Sequence, residues 1–130
     1  MPSRYENLRN AVACLAAPAE QQVAYLDRIH APLADGASAT GHGNDELALE
    51  LDDYFSPAHD MIFYGELSEA ERTAILPLSK LLGTLGGQEH ADFWRREALF
   101  DDPRWAEVRS HAPRALEHLP DEPRAFGRFA

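Results

Sequence analysis

The chain has 130 residues, of which 45% are hydrophobic and 26% charged, and its formal net charge is −10 at neutral pH. These values are typical of one globular domain and exclude a largely disordered chain. The single cysteine, Cys14, excludes an internal disulfide and a multi-cysteine zinc site, and favours a reducing compartment. The N-terminus lacks an apolar signal segment, and no apolar run approaches the ~20 residues of a membrane span. We therefore expect one domain over residues 1–130, in the cytoplasm.

The negative charge is concentrated in one part of the chain. Residues 31–94 carry twelve acids against Arg72 and Lys80, whereas the segments on either side have no net charge. Residues 45–71 contain nine acids and no lysine or arginine. Such a surface repels nucleic acid and anionic membranes and attracts basic proteins or cations. A general role in solubility is the alternative explanation of the acidity.

Apolar residues recur at three- and four-residue steps throughout, which predicts an all-α protein. Ser3 and Glu6 form a capping box before a first helix that ends near Ala17. Pro18 suits the first position of a second helix, which Pro32 ends. Residues 33–43 contain three glycines and predict a mobile loop.

The remaining elements follow from caps and prolines. Asn44 is the predicted cap of a third helix, which Pro57 should kink or split and Gly65 should close. A second capping box, at residues 68–71, starts a fourth helix that contains Pro77. A fifth helix is predicted over residues 88–100, and a sixth begins at residues 102–103 and contains a proline. Residues 120–130 predict an irregular tail, so the fold is an irregular bundle of five or six short helices, several kinked by proline.

Motifs of catalysis are missing from the sequence. It has no phosphate-binding glycine loop, no nucleophile elbow and no zinc-protease motif. Cys14 lies in an alanine-rich segment without basic neighbours, which favours a structural thiol over a nucleophile. The sequence therefore favours a binding protein without a cofactor over an enzyme.

The third helix carries the candidate site. Glu46, Glu50 and Asp53 project from one side of it, with Asp60 further along. Carboxylates alone would hold a hard cation weakly, and a solvated acidic face is the simplest alternative. Our prediction is a surface for a basic protein partner, with Tyr54 and Tyr64 as aromatic anchors. Bacterial immunity proteins, which inhibit toxic nucleases, are similar in size and charge, so an immunity-type inhibitor is one expected class.

His59-Asp60 resembles the adjacent histidine and aspartate of the HD-type phosphohydrolases, which are all-helical metal enzymes. The resemblance covers only a few residues. It implies a metal bound by His59 and Asp60, by an earlier histidine (His30 or His42), and by a distant aspartate (Asp92, Asp101 or Asp102). A metal-dependent hydrolase is therefore the first alternative function.

Self-association through the apolar fourth helix is the second alternative. It would make the protein a homodimer, whereas the binding hypothesis is compatible with a monomer or a homodimer. Neither the self-association hypothesis nor the binding hypothesis involves a nucleic acid or a membrane.

Overall fold

The computed structural model describes residues 3–30, 44–86 and 88–120. Within these residues it contains no β-strand, which confirms the predicted all-α class. The elements are seven α-helices and one 3-10 helix: α1 (Arg4–Ala16), α2 (Ala19–His30), α3 (Asp45–Phe55), α4 (Ala58–Phe63), α5 (Glu69–Thr84), the 3-10 helix (Gln88–Trp94), α6 (Ala98–Asp101) and α7 (Pro103–Leu116).

Four helices surround the core. α1 packs against α3 and α7, and α5 packs against α7 and, less extensively, against α3. α2 lies outside this group and packs on α6. The largest fully buried side chains come from all of the helices named above and from the segment that follows α7: Leu8, Leu15, Leu26, Leu47, Leu51, Met61, Ile75, Leu78, Phe93, Leu99, Trp105 and Leu119.

Both predicted capping boxes are present. The Ser3 hydroxyl accepts from the amide of Glu6, and the Glu6 carboxylate accepts from the amide of Ser3. Ser68 and Glu71 make the same reciprocal pair at the start of α5. Each box satisfies amides that the first helical turn would otherwise leave unpaired.

The prolines act differently from one another. Pro57 separates α3 from α4, as predicted, and Gly65 follows α4 with a φ of 76°, which glycine adopts without strain. Pro77 and Pro113 lie inside α5 and α7, which are not split there. α2 begins at Ala19, and Pro18 contributes the carbonyl that accepts from the amides of the following turn.

The predicted fifth helix over residues 88–100 is wrong. A 3-10 helix with a non-helical residue at His90 (φ −112°, ψ 21°) leads through a turn into the short α6. The physical reason is that the carbonyls needed for an α-helix have other partners. The carbonyl of Phe93 accepts from the indole of Trp105 at 2.7 Å, and that of Trp94 accepts from the amide of Asn44 at 3.0 Å.

Asn44 also differs from its predicted role. It occupies the cap position of α3, but its side chain makes no capping bond. Its amide nitrogen donates to the carbonyl of Arg95 at 2.6 Å and, more weakly, to that of Phe93. Asn44 is fully buried and ties the start of α3 to the segment before α6. The predicted mobile loop at 33–43 and residues 121–130 of the predicted tail lie outside the described residues.

A buried polar network holds α2 against the bundle. The fully buried Gln22 side chain donates to the last carbonyls of α1, those of Cys14 (3.0 Å) and Leu15 (3.2 Å). The oxygen of Gln22 accepts from Arg109 of α7 at 3.0 Å, and Arg109 donates to the carbonyl of Leu99 at 2.8 Å. Burial lowers the pKa of Arg109. One glutamine thus links α1, α2 and α7.

Candidate functional site

An exposed stripe runs along α3 and α4. Its residues follow one another at one- to four-residue steps and continue across the break at Pro57. We call these exposed positions the outer stripe: Asp45, Leu49, Asp52, Asp53, Ser56, His59, Asp60 and Phe63. The opposite face, with Leu47, Leu51, Ala58 and Met61, is buried in the core. The outer stripe is therefore the solvent-exposed side of α3 and α4.

Leu49 lies in the middle of the acidic part of this stripe. Its side chain is 49% exposed, and Asp45, Glu46, Asp52 and Asp53 occupy the positions three and four residues on either side. Those positions adjoin a central residue on a helix surface. Among the described residues, no lysine, arginine or histidine forms an ion pair with these four acids. Leu49 is thus bordered by four carboxylates that have no basic partner in the described part of the chain.

The predicted acidic residues occupy different environments. Asp53 lies on the outer stripe, and Glu46 flanks it, half-buried. Glu50 instead faces α2, where the Tyr25 hydroxyl lies 2.6 Å from both of its carboxylate oxygens. Burial, and then this bond, raise the pKa of Tyr25. Glu50 therefore contributes to the attachment of α2, and its carboxylate is not a free group on the stripe.

Asp60 is the one stripe acid with a basic partner in the described structure. Arg4 lies 3.3 Å from Asp60 and binds both oxygens of Glu66, at 2.9 and 2.7 Å. Arg4 holds the pKa of Glu66 below its usual range. Asp60 remains 61% exposed, so its ion pair lies at the surface, where such pairs are weak. The negative potential of the stripe is consequently strongest on α3.

The two predicted aromatic anchors, Tyr54 and Tyr64, differ in exposure. Tyr64 is 48% exposed, and Tyr54, at 36%, is the less accessible of the two. The sequence reading missed Phe63, which is 78% exposed and meets Tyr64 edge-on at 5.0 Å. Phe63 and Leu49 could have been found from sequence, because both lie at the helical spacing of the acids and not at that of the core.

A second surface feature lies between α1 and α2. A groove of about 430 Å³ is lined by Asn10, Ala13, Cys14, Ala17, Gln21, Ala24, Tyr25 and Arg28. Burial, followed by the negative charge of Glu50, raises the pKa of the Cys14 thiol to about 11. At neutral pH the thiol therefore stays protonated, which makes it a poor nucleophile.

Cys14 is accordingly expected to react slowly with a disulfide reagent such as DTNB at pH 7. The rate should be well below that of glutathione and should rise about tenfold per pH unit toward pH 11, because the thiolate is the reactive form. Stopped-flow absorbance on the folded protein, against a glutathione control, measures both values. A rate equal to that of glutathione at pH 7 would contradict the assigned environment.

The residues of the metal hypothesis are not gathered in the described structure. No group of three histidine, cysteine or carboxylate side chains that could hold a metal occurs among the described residues. Asp60 pairs with Arg4, and Asp92 and Asp102 both pair with Arg104, at 3.1 and 2.6 Å. His59 and Asp101 are exposed, whereas His42 and the side chain of His30 lie outside the described residues.

The apolar face of α5, which was predicted to mediate self-association, is buried. Ile75, Leu78 and Leu82 of α5 are buried within the monomer. That face therefore packs the core and is not available to a second copy of the folded chain. Among the described helices, none has the length and apolar character needed to span a membrane.

Comparison of the chain with known protein families, with curated protein sequences and with solved structures finds no match. The function therefore has to be inferred from the surface itself.

Proposed function

We propose that this protein binds a basic protein partner through the outer stripe of α3 and α4. The observation that carries the proposal is the exposed Leu49 surrounded by Asp45, Glu46, Asp52 and Asp53. Interfaces of this kind combine apolar contacts, which supply affinity, with charges, which speed association and exclude wrong partners. The four carboxylates border the same exposed leucine, and basic groups of a partner would neutralise their charge while its apolar groups cover Leu49.

An immunity-type role is the specific form of this proposal. A toxic nuclease needs a basic surface to hold the phosphates of its substrate. An acidic helix that covers this surface would block the substrate and would associate rapidly through electrostatic attraction. The size and acidity of the chain, together with the outer stripe, support this class of partner.

The test compares two charge-reversed variants that have the same net charge. Asp52→Lys/Asp53→Lys alters the stripe at the last turn of α3, where lysine is compatible with the helix dipole. Glu107→Lys/Glu117→Lys alters two exposed acids at α7 and serves as the control. Glu50 is left unchanged because its reversal would also break the bond with Tyr25.

We expect immobilised wild-type and control protein to retain a basic protein from a lysate of the source organism. The immobilised stripe variant should not retain it. The reversal should weaken binding by about 100-fold, at about 1.4 kcal/mol for each reversed charge. If the partner is a nuclease, wild type and control should inhibit it and the stripe variant should not. Equal retention by all three proteins would overturn the proposal. Circular dichroism of the variants verifies that they are folded.

A further inference from the structure

Apolar residues occur at two places on the outer stripe. Leu49 is 49% exposed, and Phe63, at 78%, is the most exposed large hydrophobic residue of the described chain. Tyr64, which is 48% exposed, extends the apolar area beside Phe63. Isolated exposed hydrophobic residues are normal on protein surfaces. Here, however, the two positions lie on the same stripe and have acidic residues between them.

The spacing of these two positions defines what a partner must present. Leu49 and Phe63 are fourteen residues apart, which would be roughly 20 Å, or about four turns, along an unbroken helix. The break at Pro57 makes this an upper limit for the helical spacing between them. Asp52, Asp53 and Asp60 lie between them. The surface therefore has two apolar sites with acidic residues between them, and Asp45 and Glu46 lie before the first site.

We infer that the partner presents a basic amphipathic α-helix to the outer stripe, with two apolar residues on one face, no more than about four turns apart, and lysine or arginine between them. This inference rests on the proposed function and specifies the partner of the same surface. Charge complementarity selects the basic residues, and the exposed fractions of Leu49 and Phe63 select the apolar ones.

A helix fits this surface better than an extended strand does. Strand addition needs unpaired backbone groups along the edge of a sheet, and the described elements are all helical. α3 and α4 instead present side chains at three- and four-residue steps, and another helix presents side chains with the same period. Two helices lying side by side can therefore align both apolar contacts while keeping opposite charges close together.

The test uses two synthetic peptides of about 18 residues, long enough to span four helical turns. Both contain the same alanines, lysines and two leucines and carry a fluorescein label. In the matched peptide the leucines lie on one face about four turns apart. In the second peptide they lie on opposite faces. Fluorescence anisotropy with the full-length protein measures binding of each, at low salt and at about 0.3 M salt.

We expect the matched peptide to bind at least tenfold more tightly than the second peptide. Leu49→Ala/Phe63→Ala should remove this preference, and both sites are exposed enough that the fold should tolerate the change. Phe100→Ala, at an aromatic residue on α6 that is 60% exposed, is the control and should retain the preference. Raising the salt should weaken both peptides while leaving their ratio similar.

Two other outcomes distinguish the inference from the proposal on which it rests. If both peptides bind equally and Asp52→Lys/Asp53→Lys abolishes that binding, the stripe recognises charge alone. The helical partner is then overturned and the proposed function stands. If neither peptide binds, or if Asp52→Lys/Asp53→Lys has no effect on binding, both the inference and the proposed function are contradicted.

Discussion

Replacing Trp105 by alanine is expected to lower the free energy of unfolding by about 3–5 kcal/mol. Trp105 is fully buried and stacks on Phe93, with ring centroids 4.4 Å apart and an interplanar angle of 6°. Trp94 meets Trp105 edge-on at 6.1 Å. The substitution would remove these contacts and leave the carbonyl of Phe93 without its indole donor. The 3-10 helix would thereby lose one of its attachments to α7.

Urea unfolding followed by circular dichroism measures this loss. Phe100→Ala is the matched control, because Phe100 is an aromatic residue with 60% exposure and should change stability by less than about 0.5 kcal/mol. A loss below about 1 kcal/mol for Trp105→Ala would show that this aromatic cluster does not organise the core.

Replacing Gln22 by leucine is expected to cost about 3 kcal/mol, although leucine is apolar and similar in size. The change leaves the carbonyl of Leu15 without its side-chain donor and one guanidinium nitrogen of Arg109 without an acceptor. The carbonyl of Cys14, by contrast, still accepts from the amide of Ala17. Each buried polar group left unpaired costs about 1–3 kcal/mol, and leucine recovers part of this through its own burial. The loss should detach α2 before the rest of the bundle.

A double-mutant cycle with Arg109→Met tests the assignment of this network. The double variant should lose less stability than the sum of the single variants, because each change already breaks the bond between Gln22 and Arg109. Hydrogen exchange should show faster opening of α2 in Gln22→Leu than in the wild type. Additive losses, with α2 protected as in the wild type, would show that the two side chains act independently.

Local signals in the sequence predicted the helix starts well. The boxes at Ser3 and Ser68 need only a serine and a glutamate three residues later, so they can be read without knowing the fold. Pro57 was also informative, because a proline removes a helical hydrogen bond wherever the chain packs. These features depend on neighbouring residues alone.

The segment before α6 could not be predicted in this way. Its backbone carbonyls accept hydrogen bonds from Asn44, which is distant in sequence, and from Trp105 of α7. The pattern of apolar residues over 88–100 is compatible with a helix, and only the tertiary partners decide against one. Gln22 presents the same problem, because its role depends on Arg109 of another helix.

The candidate site was partly predictable for the same reasons. The acidic positions of α3 follow from helical spacing, and the structure places Asp53 on the exposed side. The hydrogen bond that the Glu50 carboxylate accepts from Tyr25 could not be inferred, because Tyr25 belongs to another helix, α2. Leu49 and Phe63 were missed because only acidic and tyrosine side chains were considered for the surface, although their helical positions differ from those of the buried Leu47 and Leu51.

The most direct test of the central claim is the affinity of the retained partner measured against salt concentration. Isothermal titration calorimetry would compare the wild type, Asp52→Lys/Asp53→Lys and the control Glu107→Lys/Glu117→Lys. We expect wild type and control to bind alike and to weaken as salt increases, and the stripe variant to bind about 100-fold more weakly at low salt. The same dissociation constant for all three proteins, at every salt concentration, would contradict the claim that the outer stripe is the binding surface.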